Sequence, residues 1–124
     1  MANKARVLSG PVFRRELKSL AKKFKSLLDE VEKLIQQLTA NPKLGIPLGK
    51  GCYKIRLAVR SKGGGKSGGL RVITYVVVQV RSAADGLTTV YLTSIYDKSE
   101  RENIDDARLQ RLVADLNASS PPNS

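Results

Sequence analysis

The stretch LRVITYVVVQVRSAADGLTTVYLTSIY, from Leu70 to Tyr96, decides the fold of this chain. Both of its halves are rich in valine, threonine and tyrosine, residue types that favour β-strands. Between them stands Ala84-Asp85-Gly86, and an Asp-Gly pair favours a tight hairpin turn because both residues accept positive φ angles. The sequence therefore predicts an antiparallel hairpin formed by Leu70–Arg81 and Thr88–Tyr96.

A third strand is predicted just upstream, from Cys52 to Val59. Its apolar and basic residues alternate, and because successive side chains of a strand point to opposite faces, the two kinds separate. The core face would hold Tyr53, Ile55, Leu57 and Val59, and the other face Lys54 and Arg56. The glycine-rich segment Ser61–Gly69 then connects this strand to the hairpin.

Two helices are predicted upstream of these strands, where apolar residues recur every three or four positions. The stripe starts after Gly10-Pro11, because proline suits the first helical position, and ends at Asn41-Pro42, because proline disfavours helical backbone in the residue before it. Ser26-Leu27-Leu28-Asp29 resembles a capping box, so we predict two packed helices with a turn at residues 22–25. The stripe consists of Phe13, Leu17, Leu20, Phe24, Leu28, Val31, Leu34, Ile35 and Leu38.

The remaining segments complete the order of elements. Ala5–Leu8 is predicted as a short strand, residues 43–51 as a loop, and Asn103 as the cap of a last helix that ends at Leu116. Residues 117–124 are predicted to be a disordered polar tail. The expected domain, residues 1–116, is α+β with the order β-α-α-β-β-β-α. It is a two-layer fold in which the N-terminal helical hairpin covers an antiparallel sheet.

The charge of the chain is strongly uneven. Lysine and arginine number 22 against 11 aspartates and glutamates, which gives a net charge of +11. Residues 1–71 carry 17 basic and 4 acidic side chains, whereas residues 72–124 carry 5 and 7, and no acidic residue lies between Glu32 and Asp85. A basic region of this size indicates a polyanionic partner, most often a nucleic acid.

Composition excludes several classes of protein. The chain contains no histidine, which removes histidine acid–base catalysis and most zinc and haem sites. Its single cysteine, Cys52, cannot form an internal disulfide, which favours a reducing compartment, the cytoplasm. The longest run without a charge, Gly86–Tyr96, has 11 residues, too few for a membrane helix, and the N-terminus lacks the apolar core of a signal peptide. We expect no membrane partner, no metal and no cofactor.

Cations cluster on the two adjacent strands and on the connector between them. Lys54 and Arg56 would lie about 7 Å apart on one face, which suits a phosphodiester backbone. Residues 65–67, Gly-Lys-Ser, do not form a nucleotide-binding P-loop, because the first glycine of that motif would fall on Arg60. We expect Arg60 and Lys66 to bind RNA, and the whole cluster comprises Lys54, Arg56, Arg60, Lys66 and Arg71.

Four segments, taken together, carry a family resemblance. They are Cys52-Tyr53-Lys54-Ile55-Arg56-Leu57, Gly65-Lys66-Ser67-Gly68-Gly69 followed by Arg71-Val72-Ile73, Val90-Tyr91-Leu92, and Ile95-Tyr96-Asp97-Lys98. In this combination the chain resembles the RelE/ParE toxin superfamily, and most closely its RelE/HigB-like branch. The resemblance implies the toxin of a type II toxin–antitoxin pair. Such a toxin is a metal-independent endoribonuclease that cleaves mRNA in the ribosomal A site and is neutralised by a cognate antitoxin, here expected to be a helix-turn-helix protein.

The resemblance also implies roles for individual residues. Lys54 and Arg56 match the paired basic positions of the family's central strand, and Arg71 matches the arginine that holds the scissile phosphate. Lys98 matches a basic position after the last strand, and Tyr96 matches an active-site tyrosine of some HigB-type members. The chain departs from the family in two respects: no tyrosine lies near the start of the last helix, and histidine is absent.

RNA cleavage without a metal uses the 2′-hydroxyl of the substrate as the nucleophile and yields a 2′,3′-cyclic phosphate. Arginine and lysine can neutralise the charge that develops on the phosphate. Three alternatives for the general base stay open. Lys54 could serve if neighbouring cations lower its pKa from the usual value of about 10.4. Tyr96 is the second candidate, and the third is catalysis mainly by positioning.

Two other functions stay open on the same fold: a ParE-like gyrase poison, against which the strand cations argue, and a non-catalytic nucleic-acid-binding regulatory module.

An acidic antitoxin would cover either the sheet face with Lys54, Arg56 and Lys98 or the helical hairpin. We favour the hairpin because the exposed sides of its helices are rich in cations. These are Arg14, Arg15, Lys18, Lys22, Lys23, Lys25 and Lys33.

Overall fold

The computed structural model describes residues 5–63, 65, 69–82, 85–100 and 103–119. The elements are β1 (Arg6–Ser9), α1 (Pro11–Lys23), α2 (Leu27–Ala40), β2 (Ile46–Gly49), β3 (Cys52–Leu57), β4 (Leu70–Ser82), β5 (Asp85–Asp97) and α3 (Asp106–Ser119). The strands form one sheet in the order β1-β5-β4-β3-β2, in which β1 is parallel to β5 and the other neighbours are antiparallel. The α+β class predicted from the sequence is confirmed.

The helical hairpin covers one face of the sheet and forms the main core. Phe13 of α1 and Leu34 of α2 pack against Val72, Val90 and Leu92 of the central strands, and all five side chains are buried. The predicted break between the helices is confirmed, since α1 ends at Lys23 and α2 begins at Leu27. The apolar stripe read from the sequence is therefore the inner side of this hairpin.

A second, smaller core lies on the opposite face of the sheet, under α3. Leu109 of this helix packs with Cys52, Ile73 and Tyr96, and the partly buried Ile104 closes the cluster. The sheet thus carries helices on both faces, whereas the sequence predicted cover on one face only. No helix in the described part of the chain is long and apolar enough to cross a membrane.

Two features of the sheet correct the prediction. Residues 43–51 were expected to form a loop, but Ile46–Gly49 is an edge strand, β2, paired with Cys52–Lys54. An edge strand tolerates Pro47 because one side of its backbone needs no hydrogen-bonding partner. The proline therefore did not exclude a strand, and the prediction of a loop was wrong. The sheet was also expected to be antiparallel, but β1 runs parallel to β5, with Val7 opposite Val90, and the sheet is mixed.

The helix caps also differ from those predicted. Ser26 makes no capping bond to the backbone of α2; its hydroxyl bonds Glu30 Oε1 at 2.9 Å and Ser61 Oγ at 2.8 Å instead. At the last helix, Asp105 Oδ1 accepts the backbone N–H of Arg108 at 2.8 Å, so Asp105 caps α3 in place of Asn103. The helix runs to Ser119, three residues into the segment predicted as a tail, and residues 120–124 lie outside the described chain.

The long hairpin predicted from the opening stretch is present, but its strands reach further than expected. β5 begins at Asp85, and Gly86 lies opposite Val80 inside the ladder, so the Asp-Gly pair does not form the turn. The connection at residues 83–84 lies outside the described residues. The valine-rich composition extends β4 to Ser82, because β-branched residues favour extended backbone up to the end of the hairpin.

Glu16 of α1 ties both layers of helices to the sheet. Its Oε1 accepts the Ser94 hydroxyl at 2.8 Å and the backbone N–H of Ile95 at 3.0 Å, and its Oε2 lies 3.9 Å from the Arg108 guanidinium on α3. Replacing Glu16 by alanine leaves the buried donors of Ser94 and Ile95 without their acceptor. Such groups typically cost about 1–3 kcal/mol each.

We therefore expect Glu16→Ala to lower the free energy of unfolding by about 2–6 kcal/mol in urea titrations, because two buried donors, the Ser94 hydroxyl and the Ile95 N–H, lose their acceptor. Glu32→Ala, which removes an exposed glutamate from α2, is the matched control and should have little effect. Equal stability of the two variants would show that the Glu16 contacts do not hold the layers together.

Candidate functional site

Three of the predicted catalytic residues lie in one row across the sheet. Arg56 of β3 is directly opposite Arg71 of β4, and Arg71 is directly opposite Tyr96 of β5. Neighbouring strands are about 4.8 Å apart, and opposed residues point to the same face. Lys54, two residues before Arg56, shares this face because the side-chain period of a strand is two. The structure therefore brings Lys54, Arg56, Arg71 and Tyr96 together.

A glycine at the end of the connector makes this register possible. Gly69 immediately precedes β4, and a Cβ on it would overlap the carbonyl oxygen of Leu57 at the end of β3. Only a residue without a side chain lets the two strands approach this closely. Leu70 then pairs with Leu57, and the next pair is Arg71 with Arg56.

Exposure falls steeply along the row. Arg56 is exposed and Lys54 half-buried, but Arg71 is only 2% exposed and Tyr96 only 3%. The Arg71 guanidinium donates to the carbonyl of Leu70 at 3.3 Å, and Tyr96 packs in the second core beneath α3. The surface that a large polyanion can reach directly is consequently the β3 end of the row.

A groove of about 750 Å³ adjoins this accessible end, between α2 and β3. Lys33 of α2 lies on one side of the groove, and Lys54 and Arg56 border it on the other side, at the edge of β3, with their side chains on the face of Arg71. Leu34 and Ile55 contribute apolar surface between the walls. A groove with cations on both sides and apolar surface between them can hold a nucleic-acid strand by its phosphates and contact its bases or sugars.

Lys98 lies just beyond the row, in a turn that follows β5. The turn is closed by a hydrogen bond from the Glu100 N–H to the Asp97 carbonyl, 2.9 Å long, and Lys98 is half-buried within it. Lys98 is thus two residues from Tyr96 along the chain, close to the buried end of the row.

Arg60 points to a different set of partners. Its guanidinium lies 3.6 Å from Asp29 and 3.3 Å from Glu30 of α2, and its backbone N–H donates to Glu30 Oε2 at 2.8 Å. The two carboxylates compensate its charge, so Arg60 is a weaker candidate for RNA contact than Lys54 or Arg56. Lys66, the other predicted RNA-binding residue, lies outside the described residues.

Sequence reasoning missed two residues at this site. Lys33 belongs to the groove, but the sequence placed it only on the cationic side of the helical hairpin. Lys62 lies 3.6 Å from the buried carboxylate of Asp97, next to Tyr96, although it stands in the same basic run as Arg60. The sequence shows a lysine at position 62, but it does not reveal the partner of this lysine, because Asp97 is 35 residues away along the chain.

Cys52 and the acidic residues in the described part of the chain show no metal-binding arrangement. Among the described residues, no three histidine, cysteine, aspartate or glutamate side chains come together as a metal site. Cys52 is buried in the second core, and burial raises the pKa of its thiol, an effect that the charge of Lys50 partly offsets. A buried thiol of this kind packs as a small apolar group and is a poor nucleophile.

No protein-family model matches this chain. The structure shows an α+β domain with a basic row and groove on its sheet. Because no family model identifies it, the functional interpretation depends on the residues themselves.

Asp97 provides a test through pH. Burial raises the pKa of its carboxyl, but hydrogen bonds from Ser99 and the charge of Lys62 outweigh burial, so the pKa is below its usual value. The native state therefore binds this proton less readily than the unfolded chain. The resulting stabilisation is complete above the unfolded pKa of about 3.9 and is lost as pH falls through the lower native value.

We expect Asp97→Asn to be less stable than the wild type at neutral pH and to lose less stability on acidification below about pH 4. Urea titrations at a series of pH values measure both effects. Asp106→Asn, at an exposed position on α3, serves as the control. Parallel pH profiles for wild type and Asp97→Asn would refute the contribution of this ion pair.

Proposed function

We propose that this protein is a ribosome-dependent mRNA endoribonuclease, the toxin of a type II toxin–antitoxin pair with a RelE-like fold. The observation that carries the proposal is the row of Arg56, Arg71 and Tyr96 with Lys54 beside it. The net charge of +11 and the cation-lined groove support an RNA partner. Its proposed partners are mRNA, the ribosome and an antitoxin, and its proposed location is the cytoplasm.

In the proposed reaction, the substrate's 2′-hydroxyl attacks the adjacent phosphorus. The P–O bond to the 5′-oxygen of the next nucleotide breaks, and that oxygen takes up a proton from water, which leaves a 2′,3′-cyclic phosphate and a 5′-hydroxyl. Arg56 holds the phosphate backbone beside the cut, and Arg71 stabilises the negative charge that develops on the non-bridging oxygens. Lys54, two residues before Arg56 and on the same face of the sheet, is the proposed base that accepts the proton of the 2′-hydroxyl.

The burial of Arg71 gives this mechanism a condition. Arg71 has only 2% of its surface exposed, so its guanidinium can contact a phosphate only after the side chains that cover it rearrange. We propose that docking in the A site drives that rearrangement, so that RNA in solution is not cut. Ribosome dependence would then follow from assembly of the site on binding.

The same burial favours a second candidate, a non-catalytic RNA-binding module of the same fold. Arg71 and Tyr96 would then be structural residues of the second core, and only Lys54, Arg56 and the groove would contact RNA. This candidate predicts binding to RNA or ribosomes without strand cleavage.

The deciding experiment is primer extension on an mRNA translated in a purified system. The toxin proposal predicts new 5′ ends within the translated reading frame, and none when the start codon is removed from the same message. Intact mRNA in both reactions would contradict it. Ribosome binding without cuts would favour the non-catalytic module, and inhibition of gyrase supercoiling with intact mRNA would favour a ParE-like poison.

The helical hairpin is the proposed docking surface of the antitoxin. A groove of about 410 Å³ between α1 and α2 has apolar walls that include Leu28, which is 60% exposed. Its rim carries Arg14, Lys18 and Lys22. In an acidic amphipathic segment, the apolar side chains would pack against the apolar walls of this groove and the carboxylates would pair with the cations of its rim.

We expect the charge reversal Lys18→Glu with Lys22→Glu to weaken antitoxin binding at least tenfold in calorimetric titrations, because two attractive pairs become repulsive. Lys54→Ala should leave antitoxin affinity within about twofold, since that residue lies outside the groove. The opposite pattern would place the antitoxin over the sheet.

A further inference from the structure

The β4–β5 hairpin extends beyond the rest of the sheet. The β3–β4 ladder ends at the pair Cys52 and Tyr75, and the β1–β5 ladder ends at Arg6 and Thr89. β4 and β5 continue to pair with each other as far as Ser82 and Asp85. Among the described residues, positions 77–80 of β4 therefore have a strand neighbour on the β5 side alone.

The backbone groups at this edge point in a known direction. Val76 donates its N–H to the carbonyl of Gly51, 2.9 Å away on the side of β3. Alternate residues of a strand direct their N–H and C=O groups to the same side. Val78 and Val80 consequently present both groups to the open side, where the described chain has no further strand.

The open edge lacks the usual protection against pairing. Edge strands of soluble proteins commonly carry lysine, proline or a charged residue, and the other two edges here do so, with Pro47 in β2 and Arg6 in β1. Residues 77–80, by contrast, are Val-Val-Gln-Val. Val78 is 53% exposed and Val80 is 77% exposed.

We propose that this edge pairs with the same edge of a second copy of the chain, β4 against β4 and antiparallel. In the register that joins the outward-facing N–H and C=O groups, Val78 of each copy lies opposite Val80 of the other. Each of these two pairs makes two backbone hydrogen bonds, which gives four in total. The two-fold axis then passes between the two Gln79 residues. Their amides can pair, because each both donates and accepts.

Charge identifies the occupant as a second copy. RNA and acidic proteins are drawn to the cations of residues 1–71, and β4 contains no charged residue between Arg71 and Arg81. Two molecules with a net charge of +11 repel each other wherever their basic surfaces meet. The uncharged segment of β4 before Arg81, residues 77–80, is the surface through which two copies approach with the least repulsion.

The pairing should be concentration-dependent. A contact of a few residues on one strand is smaller than the roughly 1,200 Å² buried in a typical stable interface. Dimers should therefore form at high protein concentration, and added salt should favour them because it screens the repulsion between the copies. RNA binding has the opposite dependence on salt.

Cross-linking through Gln79 tests the register. Opposed residues of a non-hydrogen-bonded antiparallel pair have Cα atoms about 4.5 Å apart, within the range that a disulfide bridges. Under mild oxidation, Gln79→Cys should convert to a disulfide dimer at least tenfold faster than Leu28→Cys, a control at an exposed position on α2. Equal rates for the two variants, or no dimer from Gln79→Cys, would overturn the proposal.

Sedimentation equilibrium of the otherwise unmodified chain provides the second measurement. The wild type should form a species of twice the monomer mass, more at high salt, and Val80→Lys should weaken the dimer at least tenfold. Leu28→Lys, which adds the same charge elsewhere, should not. A wild-type protein that is monomeric at every concentration, or a dimer unaffected by Val80→Lys, would contradict the proposal. Because neither measurement uses RNA or ribosomes, their outcome is independent of the proposed function.

Discussion

Arg71→Ala is expected to lower mRNA cleavage on translating ribosomes by about 10²–10³-fold, the usual cost of removing a donor that stabilises charge in a transition state. Arg71 occupies the centre of the row, between Arg56 and Tyr96. Initial rates of cleavage from quantitative primer extension measure the effect.

Because Arg71 is buried, the prediction needs controls for folding. Arg71→Lys keeps a positive charge but not the forked guanidinium, and it should recover part of the lost rate. Arg111→Ala removes an exposed arginine from α3 and should cleave at the wild-type rate. If Arg71→Ala unfolds at the wild-type urea concentration and cleaves normally, Arg71 has no role in the reaction.

RNA binding is expected to weaken steeply with salt. Each phosphate of a single strand neutralised by a cation contributes about −0.7 to the slope of log affinity against log salt. For the three groove cations, Lys33, Lys54 and Arg56, a change from 50 to 200 mM salt should lower affinity about 20-fold. Fluorescence anisotropy with a short single-stranded RNA measures this slope.

Single substitutions locate the contribution of each cation. Arg56→Ala should reduce the slope by about 0.7, and Arg60→Ala should change it less, because Asp29 and Glu30 already compensate the Arg60 charge. A slope near zero in the wild type would mean that the groove binds RNA without phosphate contacts, or that it is not the binding surface.

Local patterns predicted much of the fold. The period of two in Cys52–Leu57 placed Lys54 and Arg56 on one face, and the change to a period near four located the apolar stripe of the helices. The break between the helices was predicted from the segment that begins at Ser26. These signals arise from neighbouring side chains, so they can be read without knowing the rest of the molecule. The edge strand β2 escaped detection because four residues that include proline and glycine have no such period.

Long-range packing determined what the sequence could not predict at the site. The register that sets Arg71 opposite Arg56 depends on the close approach of Gly69 to Leu57. The burial of Arg71 and Tyr96 accompanies the packing of α3 on their own face of the sheet, the one away from the helical hairpin, and no local pattern specifies this packing. Arg60 lies in a stretch without acidic residues, yet Asp29 and Glu30 reach it from α2, because sequence distance does not measure distance in the fold.

The central claim is tested most directly by changing one atom of the substrate. Once primer extension has located a cut in a translated message, the same message is prepared with a 2′-deoxynucleotide on the 5′ side of that cut. The account predicts that cleavage at this position is lost while other cuts continue, because the attacking 2′-hydroxyl is gone. Continued cleavage at the deoxy position, or the absence of any cut in the unmodified translated message, would contradict it.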